Sequence, residues 1–198
     1  MRIFSVILQL LLPVVFAQQA KEGTAGDAQK MVTIRRIIVE GTRLPPLSVI
    51  RLAEIKVGDQ VNFMKLNDAM RRVTKVGLIN SIDFEYESLE NKETDVVLHM
   101  KCVDVTPLAK ASIQIPNVIE DHVWAWLAQL DPLFMQELPP TEAAIAFYAH
   151  WIGKYLESHG QPKFQETSAV IADSISSTGG KVTDRLVFKV TKLRGVKK

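Results

Sequence analysis

The stretch Ser81-Ile82-Asp83-Phe84-Glu85-Tyr86-Glu87 alternates apolar and acidic side chains without a break. A strand points successive side chains to opposite faces, so this pattern predicts one buried face (Ile82, Phe84, Tyr86) and one acidic, solvated face (Asp83, Glu85, Glu87). A polar turn follows at Glu90 to Glu93. Asp95 to Val103 then reads as a second strand, with Val96, Leu98, Met100 and Cys102 on one side. Two strands joined by a short polar turn make a hairpin.

Upstream of the hairpin, Asn62 is placed to cap a helix in which Leu66, Ala69, Met70, Val73 and Val76 recur at three- and four-residue steps. That spacing makes a single apolar stripe. Lys65, Asp68, Arg71, Arg72 and Lys75 cover the opposite side, and Gly77 stands where a left-handed C-terminal cap is wanted. Earlier still, Pro45 and Pro46 open a short helix, Leu47 to Glu54, ended by Val57-Gly58-Asp59. Thr33 to Val39 is a β-branched strand closed by Gly41. The order is strand, helix, helix, strand, strand. Two helices cover one face of such a sheet, so residues 32–104 are expected to fold as a two-layer α+β sandwich.

The order repeats over residues 105–191. Ala111 to Ile115 reads as a strand ended by Pro116-Asn117, and Glu120 to Leu130 as a helix. A proline-rich connection leads to Thr141, a candidate cap for a helix striped by Ile145, Tyr148, Ala149, Ile152, Tyr155 and Leu156. Gly160 ends it. Lys163 to Ala172 and Val182 to Val190 read as strands joined by the Ser/Gly-rich stretch Ser174 to Gly180. Counting back four, eight and eleven residues from Gly77 reaches Val73, Ala69 and Leu66. The same count from Gly160 reaches Leu156, Ile152 and Ala149. The shared order and the shared stripe point to a duplicated unit.

The first module resembles a POTRA domain. Ile34-Arg35-Arg36-Ile37-Ile38-Val39-Glu40-Gly41 is similar to that family's opening strand and glycine turn. Ile55-Lys56-Val57-Gly58-Asp59 is similar to its inter-helix turn, Leu66-Asn67-Asp68-Ala69-Met70 to its second helix, and Val76-Gly77-Leu78-Ile79 to its hairpin entry. The second module matches in element order and size. The resemblance implies two tandem sandwiches, each a three-stranded mixed sheet under two helices, with the hairpin's first strand at an edge. It also implies a periplasmic or outer-membrane-associated protein that handles polypeptide chains or envelope proteins in outer-membrane protein assembly or transport. An edge strand accepts an extended peptide by β-augmentation. The expected binding edge is therefore Ile82, Asp83, Phe84, Glu85, Tyr86 and Glu87. The acidic side chains there serve equally well to select partners or to block edge-to-edge aggregation. No tract of ~10-residue amphipathic strands that would build a membrane barrel is expected.

The N-terminus reads as an address. Met1-Arg2 precedes an apolar run from Ile3 to Phe16, short of the ~20 residues a spanning helix needs. Val15-Phe16-Ala17 fits a signal-peptide cleavage site, giving a signal peptide over 1–17 and a polar lead-in over 18–31. An uncleaved anchor is the alternative. At the other end, 192–198 is a basic tail, either solvated or touching an anionic membrane surface. The formal net charge of +2 gives no pull towards nucleic acid.

Nothing marks an enzyme, a cofactor site or a metal site. The chain contains no G-x-S-x-G, H-E-x-x-H or C-x-x-C motif and no phosphate-binding glycine loop. Its single cysteine, Cys102, and His99 are an odd number of residues apart on one strand and should face opposite ways. His122, His150 and His159 are scattered. Trp124, Trp126 and Trp151 are expected in packing rather than in a ligand groove. The alternative functions are a scaffold for a division or secretion complex and a small exported enzyme.

Overall fold

The computed structural model describes residues 31–89, 92–159, 168–175 and 183–192. The expected signal peptide, the expected lead-in before Met31, the expected Gly160 cap and the tail beyond Lys192 lie outside the described residues. So does most of the Ser/Gly-rich stretch. The elements of the first module are β1 (Val32–Glu40), α1 (Pro46–Ala53), β2 (Gln60–Val61), α2 (Phe63–Lys75), β3 (Ile79–Leu89) and β4 (Lys92–Asp104). Those of the second are β5 (Ala109–Ile113), α3 (Glu120–Leu130), β6 (Glu137–Leu138), α4 (Glu142–Ser158), β7 (Ser168–Ile175) and β8 (Arg185–Lys192).

Each module is a mixed sheet with its own pair of helices. The sheet orders are β2-β1-β4-β3 and β6-β5-β8-β7. β1 runs parallel to β4, β5 parallel to β8, and the hairpins are antiparallel. The sheets have four strands, one more than expected. The additional strands, β2 and β6, are two residues each, too short for any alternation to show in sequence. They sit alike in both modules, with Val32 opposite Val61 and Ala109 opposite Leu138. The first strand of module two also starts earlier than its apolar residues suggested, at Ala109, and β7 runs on through Ser174 and Ile175.

Local chemistry fixes the helix ends. The Lys65 amide donates to Asn62 Oδ1 at 3.0 Å, and the Ala144 amide to Thr141 Oγ1 at 3.2 Å. Gly41 has φ +75, and a Cβ there would lie 2.3 Å from the Cys102 carbonyl oxygen, so the turn after β1 requires glycine. The helix stripes then face the sheets. Leu66, Ala69 and Val73 are buried against Ile34, Ile82, Leu98 and Met100, while Tyr148, Ile152 and Leu156 are buried with Leu186 and Phe188. The buried residues of both modules form one contiguous cluster.

The modules meet through their helical layers. Asp131, which follows α3, accepts hydrogen bonds from Ser48 Oγ on α1, from Arg51 Nη1 at 2.7 Å and from its own neighbour Leu133 N at 3.0 Å. Arg43 Nη1 donates to the Glu137 carbonyl at 3.4 Å, and Thr141 Oγ1 to the Gly77 carbonyl at 3.4 Å. Among the described residues no helix is long and apolar enough to cross a membrane.

Candidate functional site

β3 borders the first sheet. β4 pairs with one of its sides, and no described strand pairs with the other. Its backbone N–H and C=O groups on that outer side are open to pairing. At ~3.4 Å per residue, eleven residues of β3 extend ~37 Å, whereas thirteen residues of α2 at ~1.5 Å each extend only ~20 Å. α2 turns at Gly77 directly into β3, so it covers the strand's first half and leaves the second half bare.

That difference in length decides where the six predicted residues lie. Ile82 is buried opposite Cys102, and Phe84 is half-buried opposite Met100, packed against the core. Tyr86 lies opposite Leu98 on the same face, yet it is 51% exposed. The expectation of a buried Tyr86 is corrected: the alternation names the right face, but the cover that still buries Leu98 on β4 does not extend over the border strand at this level. Leu89, further along, is also exposed.

The opposite face carries the acids, and β4 answers them. Asp83 stands across from Lys101 and Glu85 across from His99. Lys101 Nζ donates to Glu85 Oε2 at 2.6 Å, and His99 Nε2 lies 3.8 Å from Glu87 Oε2. The hydrogen bond from Lys101 holds the Glu85 carboxyl below its ordinary range, and Glu85 in turn raises the ammonium of Lys101. Sequence reasoning missed this cationic complement. The alternate positions of β4 carried the clue, since His99 and Lys101 share the face opposite Leu98 and Met100.

The second module repeats the device. β7 borders its sheet, and Lys189 Nζ donates to Asp173 Oδ2 at 2.8 Å. The sequence separation is 16 residues, as it is for Lys101 and Glu85. Ile171 and Ile175, flanking Asp173 on the same outer face, are exposed.

The remaining candidates resolve into packing. Cys102 is buried, donates weakly to the Met100 carbonyl at 3.8 Å and is pushed up to about 11 by burial, while His99 faces the other way. Trp124 is buried and donates to Glu120 Oε1 at 3.0 Å. Trp126 meets Tyr155 edge-on at 5.6 Å, and Trp151 meets Phe134 at 6.1 Å. His159 stacks on Tyr155 at 4.1 Å. No cluster of three His, Cys, Asp or Glu side chains able to hold a metal occurs among the described residues.

A sheet mixed in this order, two helices on one face and a hairpin whose first strand lies at the border are the arrangement, twice over, that the resemblance to a POTRA domain implied, and no barrel is present among the described residues. Solved structures that the chain matches include POTRA1-3 of the periplasmic domain of Omp85 from Anabaena, at 15% identity over 81% of this chain and 61% of that one, TM-score 0.38. The N-terminal domain of Omp85 from the thermophilic cyanobacterium Thermosynechococcus elongatus matches at 14% identity over 81% of this chain and 62% of that one, TM-score 0.39. BamA POTRA3-5 from Haemophilus influenzae matches at 12% identity over 87% of this chain and 70% of that one, TM-score 0.36. The chain thus spans about three fifths of the first two. No family model and no curated protein sequence matches it.

Proposed function

We propose that this chain is an exported, non-catalytic binding protein of the cell envelope that captures extended polypeptide segments along β3. The observation that carries the reading is the long border strand, half of it uncovered by helix, with its outer backbone unpaired among the described residues. Main-chain pairing is largely indifferent to side-chain sequence, which suits a handler of varied unfolded chains. Ile82, Asp83, Phe84, Glu85, Tyr86 and Glu87 form the docking row. Tyr86 and Leu89 supply apolar contact at the bare end. Glu85 is neutralised by Lys101, which tempers the selection of cationic partners along this face. Residues 32–104 and 105–191 are the two domains, preceded by a signal peptide, and the work is outer-membrane protein assembly or transport in the periplasm.

The test is amide hydrogen exchange with and without an added extended peptide, such as a strand of an outer-membrane barrel. Augmentation protects every second amide of β3, the ones whose N–H groups point away from β4. Binding that leaves those amides unprotected would remove the edge from consideration.

A further inference from the structure

A groove of about 600 Å³ opens between the modules, away from the β3 edge. Such a volume lies within the usual range of binding clefts, ~300–1,000 Å³. Its apolar surface comes from Leu52 of α1, Val76 just past α2, and Ala143, Ala146 and Phe147 of α4. Arg51, Arg72 and Lys75 rim it, against one acid, Glu54. Arg51 is held by Asp131, and Arg72 by the Ala53 carbonyl and Glu54. Lys75 is exposed at the end of α2, and no ion pair engages it among the described residues.

We propose that this groove docks an acidic, amphipathic helix of a partner polypeptide. The walls are helices, whose backbone groups are already bonded internally, so a strand entering here would leave its own N–H and C=O groups unsatisfied. A helix satisfies its own backbone and brings only side chains. Ala143 and Ala146, three residues apart on one face of α4, let a partner helix approach closely. The cationic rim calls for carboxylates beside the partner's apolar stripe. A second copy of the chain is disfavoured, because a two-fold contact through this face sets the same cations against one another.

Fluorescence anisotropy on the full-length chain tests this with two labelled helical peptides. Both carry leucine on one face, and the other face is glutamate in one and lysine in the other. The glutamate peptide is expected to bind at least ~10-fold more tightly. Ala146→Trp, which fills the groove at an exposed helical position, should weaken it ~10-fold, and Lys75→Glu should remove most of the preference. A proline placed in β3 should change neither result, which separates this site from the edge. Equal affinity for the two peptides, or unchanged binding in both variants with helical circular dichroism intact, overturns the proposal. So does a dimer in sedimentation that Ala146→Trp dissolves, since the groove's occupant is then a second copy.

Discussion

The hydroxyl of Ser48, wholly buried on α1, donates a hydrogen bond to the carboxylate of Asp131, which terminates α3 in the other module. The carboxylate also takes Arg51 Nη1 and the Leu133 amide, so one side chain closes the interface and turns the chain out of α3.

Asp131→Ala strands a buried hydroxyl and a buried amide at once. The expected cost is about 1–3 kcal/mol, the usual penalty for unpartnered buried polar groups. Ser48→Ala removes one donor and leaves Asp131 its other two, so it should cost less. Urea unfolding of both variants and the double mutant measures the coupling; purely additive losses would show that the two residues do not act as a pair.

Two glycines separate backbone strain from crowding. Gly58 has φ +94 with nothing within 4 Å of a built Cβ. Gly77 has φ +72, and its Cβ would stand 2.8 Å from the Ala144 nitrogen and 2.8 Å from Ala143 Cβ at the start of α4. Gly58→Ala therefore carries backbone strain of about 1 kcal/mol, whereas Gly77→Ala adds a clash with the neighbouring module. The Gly77 variant should lose clearly more stability in urea, and small-angle scattering should register a changed arrangement of the modules. Equal losses would contradict the close approach.

Stability should decline in alkali. Burial pushes Tyr148 from its ordinary 10.0 up to about 12, and Cys102 from 9.0 up to about 11. Both groups keep their protons longer when folded than when unfolded. Their contribution is intact below the unfolded values and is lost as pH rises through the folded ones, a window from about 9 to about 12. Tyr148→Phe should flatten the upper part of that decline. It should also cost about 1–2 kcal/mol at neutral pH, because the phenol bridges the Met135 amide at 3.1 Å and the Leu133 carbonyl at 3.2 Å. Alkylation of Cys102 by a thiol reagent should proceed only at the rate of unfolding.

Periodicity made the helices and the β3–β4 hairpin legible, because a buried face imposes its period directly on the side chains. Leu66, Ala69 and Val73 needed no further information. Tyr86 escaped because alternation tells which face a side chain takes, not how far the covering helix extends. β2 and β6 escaped because two residues show no period. The Lys101–Glu85 pair requires the register of β4, and Ser48–Asp131 joins residues 83 apart through tertiary packing alone. The repeat, by contrast, reached further than its stripe of apolar residues, since both hairpins carry an ion pair at the same separation.

Lys101 tests the outer face of the edge. It stands opposite Asp83, bonds Glu85 and lies near Glu40. In the native protein Lys101 holds Glu85 below its ordinary range, so this exposed pair supports folding above the unfolded carboxylate range and loses that support as pH falls through the folded one. Lys101→Glu reverses the sign. Asp83, Glu85 and the new glutamate then stand together with no lysine between them, their protonation is favoured in the folded state, and acidification relieves the repulsion. Compared with the native chain, the variant should unfold at lower urea at neutral pH, recover as pH drops into the carboxylate range, and recover also with added salt. If β3 is the docking edge, the same variant should gain affinity for lysine-bearing extended peptides over neutral ones, a preference the native chain shows weakly because Lys101 already answers Glu85. Urea midpoints that track the native chain at every pH would show that the cross-strand charges exert no force on the strand.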